Sequence, residues 1–238
     1  MTNKKEVLKK IKNEQNEDNK QNRQSSTDSD RCLIISGGRF INLPKEKLGA
    51  SYVIACDKGL EYADKYGILP DVITGDFDSV SGDVLEGMAD RSALILRYPK
   101  EKDDTDTLIA VKHALSKGYR ELVIICAMGN RTDHAFANLQ TAHYAAKEGA
   151  LVRIYDDEEE IIVFCDSTVT INQRENAYLS VFSLDERSEG VDIKGTKYEL
   201  EDAVLTNTFP VGVSNEFSEE QAAISVRKGS LLVIIRTS

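Results

Sequence analysis

The chain has 238 residues and a hydrophobic fraction of 41%, enough for one large domain or two modest ones with a sizeable core. Its net charge of −10 argues against a nucleic-acid partner, and no apolar run approaches the roughly 20 residues that a membrane helix needs. The first residues lack an apolar secretory stretch, and the four cysteines form no C-x-x-C pair and read as buried reduced thiols, so the expected compartment is the cytoplasm.

Residues 1–30 are rich in Lys, Glu, Asn, Gln and Ser. They read as a disordered tail, because such a segment cannot bury enough surface to offset the entropy of ordering it. Val7, Leu8 and Ile11 leave open a short amphipathic segment that docks on a partner. From Arg31 the pattern changes. Apolar runs at 32–35, 52–56, 71–74, 93–96, 121–125 and 151–155 predict six short strands. Between them, 60–66, 105–116 and 132–148 predict helices, each stopped by a glycine, and 80–88 predicts a weaker one. Short apolar strands alternating with helices predict right-handed βαβ units, hence an α/β region over 31–156 whose parallel sheet carries helices on both faces. The acidic run 156–160 reads as a solvated turn and marks a boundary. Beyond it the period falls to two at 161–164, 168–171, 178–182, 221–226 and 231–235. No helix of ten residues is legible there, so 157–238 is expected to form an all-β sandwich, jelly-roll-like.

The polar and glycine-bearing segments follow strands: 36–39, 57–59, 75–79 and 128–134. In an open α/β sheet these converge at the carboxyl ends of the strands, where ligands bind. Gly75-Asp76-Phe77-Asp78-Ser79 places two carboxylates two residues apart at such an end. They repel unless something positive joins them, and a hard divalent cation is the usual joiner, although a polar β-turn fits the local pattern as well. Lys102-Asp103-Asp104-Thr105-Asp106 opens the helix at 105–116. One acidic or Thr cap would satisfy a helix start, and three acids in four residues exceed that need, so a cation is favoured. Gly129-Asn130-Arg131-Thr132-Asp133-His134 precedes the long helix. It combines a glycine for close approach, a helix N-terminus that attracts anions and a planar guanidinium fork, or it is a tight turn capped by Thr132. His113, His134 and His143 lack zinc-ligand spacing, and the first and last read as helix-face residues. Neither a G-x-x-x-x-G-K-[ST] loop nor a G-x-G-x-x-G turn is present.

Taken in order, these three segments resemble the signature set of the thiamine pyrophosphokinase family. Asp57-Lys58-Gly59 resembles the family's A-D-G-G segment, 195–200 its G-L-K-[YW]-x-L strand, and Ser214-Asn215-Glu216 its S-N-E segment. The resemblance implies a parallel α/β ATP-binding domain followed by a β-sandwich that binds thiamine, working as a homodimer with active sites at the subunit interface. It implies Mg²⁺ and the transfer of a pyrophosphoryl group from ATP to thiamine, giving thiamine diphosphate and AMP. By that likeness Asp76, Asp78 and Asp106 hold the metal and, with Arg131, carry catalysis. Asp57, Lys58, Gly59, Gly75, Asp103, Asp104, Thr105, Gly129, Asn130, Asp133 and His134 surround ATP, and Lys102, Tyr198, Ser214 and Asn215 meet thiamine. The chain departs from the family pattern at Lys58 and Asn130, which replace glycines, at Lys102, where some members have glutamine, and at Tyr198, which takes an aromatic position in a chain without Trp. Three other readings stay open at this point: a pyrophosphoryl transferase acting on a pterin alcohol, a non-catalytic module that binds a nucleotide or thiamine diphosphate, and a metal-dependent phosphohydrolase.

Overall fold

A computed structural model describes residues 30–75, 94–97, 103–129 and 131–237. The expected tail before Asp30, the weak helix at 80–88 and the site residues Asp76, Asp78, Lys102 and Asn130 lie outside the described residues.

Six parallel strands form the first half: β1 (Arg31–Ile35), β2 (Tyr52–Cys56), β3 (Val72–Gly75), β4 (Leu94–Arg97), β5 (Glu121–Ile125) and β6 (Leu151–Tyr155). Their order in the sheet is β6-β5-β1-β2-β3-β4. Strands covered on both faces read as continuous apolar runs, as these do. Alternate residues of β1 serve opposite faces. Leu33 and Ile35 pack with Leu60, Tyr62 and Ala63 of helix α1 (Gly59–Tyr66). Cys32 and Ile34 pack with alanines of α2 (Asp106–Ser116) and α3 (Thr132–Lys147). Ala110, Ala114, Ala142, Ala145 and Ala146 are all buried, and their small side chains let the two helices lie close to the sheet and to each other.

The larger sheet does not stop at the expected boundary. Strand β7 (Glu159–Cys165) pairs antiparallel with β6, and β14 (Ser230–Thr237), β9 (Ala177–Ser183) and β12 (Gly212–Glu216) continue the sheet to its far edge, ten strands among the described residues. A second, four-stranded antiparallel sheet runs β11 (Leu200–Leu205), β10 (Ser188–Lys194), β13 (Gln221–Lys228) and β8 (Thr168–Asn172). It packs on the β7, β9 and β14 portion through Phe164, Leu179, Val181, Leu231 and Val233 on one side and Val169, Ile171, Val191, Ile193 and Ile224 on the other. This is a sandwich of two antiparallel layers, with no helix after residue 156 among the described residues.

One expectation is corrected here. The run 156–160 is not wholly a solvated turn, because Glu159 and Glu160 begin β7 and Glu160 is 2% exposed. Its carboxylate accepts from Arg153 Nη1 (2.6 Å), from Arg174 Nη2 and from Lys47 Nζ (3.4 Å). Burial pushes this carboxyl up, but Arg174, Lys47 and Arg153 together outweigh that and hold it below the ordinary glutamate value. The four groups come from β6, β7, the turn before β9 and the 3-10 turn Lys45–Lys47, so the cluster ties both halves of the chain together.

Candidate active site

The chain leaves β1 toward β2 on one side, and β5 lies on the other side of β1. The sheet therefore reverses its winding between β1 and β5, and a crevice opens beyond their carboxyl ends. A cleft of about 1070 Å³ lies there. Four separate segments line it: 36–40 after β1, 57–58 after β2, 103–107 at the start of α2, and, after β5 and into α3, 127–129 with Arg131, Asp133, His134, Ala137 and Asn138.

Backbone geometry sets its floor. Ser36 N–H donates to the Ile125 carbonyl, Gly38 N–H to Cys126 and Arg39 N–H to Met128, so the β1 and β5 loops stay paired past the strands. At the end of β2, Asp57 has φ 45° and its N–H donates to the Thr74 carbonyl (2.9 Å). Asp is among the residues that tolerate this left-handed geometry, which turns the chain from β2 into α1. Gly75, at φ 149°, closes β3 beside it. A Cβ there would fall 1.7 Å from Asp57 Oδ1, so only glycine lets that carboxylate lie against the end of β3.

The start of α2 is fixed from below. Thr105 caps it, its hydroxyl accepting from Leu108 N–H (3.2 Å). Ser36 and Thr107 share a buried hydroxyl–hydroxyl bond of 2.5 Å, and the Cys56 thiol donates to the Asp106 carbonyl (3.7 Å). Asp106 is thereby held at the first position of the helix, beside Asp57, Asp103 and Asp104 on the cleft wall. Asp104 is also held by Lys112 Nζ (2.6 Å), one of whose effects is to raise the Lys112 pKa.

Three cations of the described residues share the cleft with these acids, Arg39 and Arg131 from the loops after β1 and β5 and Lys58 beside Asp57. Arg131 is the N-cap of α3, the position that the tight-turn alternative gave to Thr132, and makes a two-pronged bond to Asp133 (Nε–Oδ1 3.2 Å, Nη2–Oδ2 2.6 Å). That hydrogen bond holds the Asp133 carboxyl below its usual range and pushes the Arg131 guanidinium up. The Arg131 side chain makes no cap bond to the first turn of α3. Arg39 is held by Asp156 (2.8 Å) and Asp157 (3.2 Å). Lys58 is exposed at the start of α1, its ammonium over the Tyr62 ring at 5.8 Å.

Of the site residues expected from sequence, the structure brings Asp57, Lys58, Asp103, Asp104, Thr105, Asp106, Gly129, Arg131, Asp133 and His134 to this one cleft. Gly59 and Gly75 sit behind the wall as element termini. The segment 36–39 reaches the cleft as its place after β1 led one to expect, though no role was given to Arg39, and sequence reasoning missed Phe40, Tyr62, whose hydroxyl donates to the Gly38 carbonyl (2.8 Å), and Asn138, whose Nδ2 donates to the Ala127 carbonyl (2.6 Å).

Tyr198, Ser214 and Asn215 lie elsewhere. Strand β12 is five to six strand positions from β5 and β1, roughly 24–29 Å at the usual strand spacing. Tyr198 is 64% exposed, and near it along the β11–β12 edge Val204, Phe209, Val211 and Val213 are also exposed. Asn215 is buried, its amide engaged by the chain's own backbone.

Two family models match the chain: the catalytic domain of thiamin pyrophosphokinase over residues 43–154, and the vitamin B1 binding domain of the same enzyme over residues 166–231. The chain belongs to the thiamine pyrophosphokinase family. A curated thiamine pyrophosphokinase from Bacillus subtilis (strain 168) is 29% identical over 185 residues, covering 77% of this chain and 86% of the relative. The crystal structure of thiamine pyrophosphokinase from Bacillus subtilis superposes with a TM-score of 0.78 at 27% identity, covering 87% of this chain and 99% of that one. A thiamin pyrophosphokinase family protein from Enterococcus faecalis gives 0.74 at 28% identity over 87% and 99%. Membership in the thiamine pyrophosphokinase family thus spans both halves, and the catalytic match covers the segments that build the cleft from β2 to α3.

Proposed function

We propose that the chain is an ATP:thiamine diphosphotransferase, transferring the pyrophosphoryl group of ATP to the hydroxyl of thiamine to give thiamine diphosphate and AMP. The observation that carries this reading is the meeting of Asp57, Asp103, Asp104, Asp106 and Arg131, from separate segments, in one cleft at the winding reversal of the sheet. In this division of labour residues 31–156 bind ATP and 157–238 bind thiamine.

The thiamine hydroxyl attacks the β-phosphorus. The bond from that phosphorus to the oxygen bridging toward the α-phosphorus breaks, AMP leaves with the bridging oxygen, and the hydroxyl proton passes to solvent. Such transfers are catalysed mainly by positioning and by neutralising charge. Arg131, and Lys58 at the start of α1, meet phosphate oxygens, while the α3 N-terminus adds backbone N–H donors. Gly129, Asn130, Asp133 and His134 shape the phosphate loop, and Asp57 lines the neighbouring wall, with Gly59 and Gly75 behind it letting the backbone lie close.

Mg²⁺ fits the donor set, which is made of hard carboxylate oxygens. Among the described residues no three acids, histidines or cysteines close a complete metal site, and Mg²⁺ commonly takes one or two carboxylates together with substrate phosphates. Asp106, with Asp76 and Asp78, would hold it, and when bound it would neutralise charge on the phosphate oxygens.

Tyr198, Ser214 and Lys102 form the thiamine side. The distance of Tyr198 and Ser214 from the cleft of the same chain, and the exposed apolar residues along β11 and β12, support a homodimer in which each active site takes its thiamine half from the other subunit. No helix of the described residues is long and apolar enough to cross a membrane, and the four cysteines form no disulfide, which supports a cytoplasmic setting. Incubation of the chain with ATP, Mg²⁺ and thiamine, followed by mass detection, tests the reading. Thiamine diphosphate and AMP are expected in equal amounts, and release of phosphate without thiamine diphosphate overturns it.

A further inference from the structure

Strand β12 should alternate in and out, yet its register against β9 shifts between Gly212 and Asn215, and Ser214 adopts φ 57°. A bulge of this kind re-aims the next side chain. Asn215 consequently turns inward and is 6% exposed, while its neighbours Ser214 and Glu216 are exposed. Its amide is fully engaged. Nδ2 donates to Thr196 Oγ1 (3.0 Å) and to the Tyr198 carbonyl (2.7 Å), and Oδ1 accepts from the N–H groups of Tyr198 (3.0 Å) and Glu216 (3.0 Å). Thr196 Oγ1 donates in turn to the Tyr198 carbonyl (3.2 Å). An amide has two donors and two acceptor lone pairs, so nothing remains for a ligand. What the network does is grip both backbone polar groups of Tyr198, whose ring projects to solvent.

We propose that Asn215 is a positioning residue for thiamine. It does not touch the substrate, and acts by fixing the 196–198 turn so that the Tyr198 ring is presented ready for an aromatic or cationic partner. This deepens the proposed function and rests on its reading of Tyr198 as a thiamine contact. The same constellation separates Asn215 from Ser214, whose exposed side chain is available for contact even though the two are adjacent in sequence.

Steady-state kinetics on the full chain test this, varying thiamine at saturating ATP and the reverse. Asn215→Ala should raise KM for thiamine about tenfold while kcat and KM for ATP stay within about twofold. Thr196→Val keeps the shape and loses the hydroxyl; it should move KM the same way, and the double variant should be no worse than the worse single, because both act on one network. In a Tyr198→Ala background neither change should have any further effect. If Thr196→Val leaves KM unmoved, or Asn215→Ala still raises it in that background, Asn215 contacts thiamine itself and the proposal is overturned. Should Asn215→Ala not fold, Thr196→Val with and without Tyr198→Ala decides the same question. An unaltered chain that forms no thiamine diphosphate overturns the function reading and this inference with it. An active chain in which Thr196→Val is silent overturns this inference alone.

Discussion

Replacing Glu160 by Gln probes the cluster that joins the two halves of the chain. Gln keeps the shape but removes the one charge that three cations share, and its amide places a donor against groups that are themselves donors. Removing one partner of a fully buried ion pair costs about 3–5 kcal/mol. Here Glu160 is 3% exposed at the side chain, but Arg153, Arg174 and Lys47 keep 22%, 33% and 36%, so water recovers part of that cost. A loss of about 2–3 kcal/mol is expected after that discount. For a chain of this size the melting temperature should then fall by roughly 4–12 °C at neutral pH. The pH dependence has a definite sign. The folded-state pKa of Glu160 is depressed, so its stabilisation is fully present above the unfolded glutamate value of 4.5 and is lost as the pH falls through the lower folded value. Thermal unfolding of both proteins, followed by circular dichroism from neutral pH down to about pH 3, should show a gap that narrows below about pH 4.5. Equal melting at neutral pH, or a gap that stays constant into acid, would refute the account of a carboxylate stabilised by its three cations.

Asp106→Asn should lower thiamine diphosphate formation by about 10²–10³-fold, as expected for loss of a group that stabilises developing charge, with the melting temperature nearly unchanged because Thr105 still caps α2. Arg131→Lys keeps the charge but loses the planar fork now closed on Asp133; kcat/KM for ATP should fall between about 10- and 10²-fold without a change in thermal unfolding. Gly38→Ala would place a Cβ 2.6 Å from the Cys126 carbonyl and 2.9 Å from that of Met128, both rigid backbone atoms of the cleft floor. Denaturant unfolding should register a loss of about 1–3 kcal/mol, together with a raised KM for ATP.

The α/β half was the more legible part of the chain. Its strands are covered on both faces, so their apolar runs stand out, and each predicted strand from 32–35 to 151–155 has a counterpart within a residue or two. Strands β10, β11 and β12 left no such mark. Strand β10 carries Gly190 at φ 64°, Glu189 and Asp192, and its pairing with β11 shifts register twice. Strand β11 has half its residues exposed and one buried, and the bulge in β12 breaks its alternation, so no stretch of two-residue periodicity long enough to read survives. Glu160 escaped for a different reason. Within a run of five acids it resembles its solvated neighbours, and only Lys47, Arg153 and Arg174, distant along the chain, decide that it is buried. The role of Asn215 was hidden in the same way, since its partners Thr196 and Tyr198 lie 19 and 17 residues away. Sequence spacing found the chemical groups of the cleft because they follow strands, but it gave no account of Tyr62 and Asn138, which work by holding carbonyls of loops they do not belong to.

The cleft has a polarity that follows from the winding of the sheet. Loops on the β2-to-β4 side bring Asp57, Asp103, Asp104 and Asp106 with the cation Lys58, and loops from β1 and β5 bring Arg39 and Arg131 with the bracing Asp133. Each arginine is braced by acids: Arg39 by Asp156 and Asp157, Arg131 by Asp133. Orienting a guanidinium in advance lowers the entropy lost when an oxyanion arrives, which is the main lever available to a phosphoryl-transfer site. In the proposed reading a triphosphate spans this gradient, with its metal toward the carboxylates and its remaining charge toward the arginines. The winding reversal supplies both sides at once, because only there do loops that leave in opposite directions face one another. A sheet wound one way throughout would set the same residues side by side along a single ridge, where the acids could not oppose the arginines.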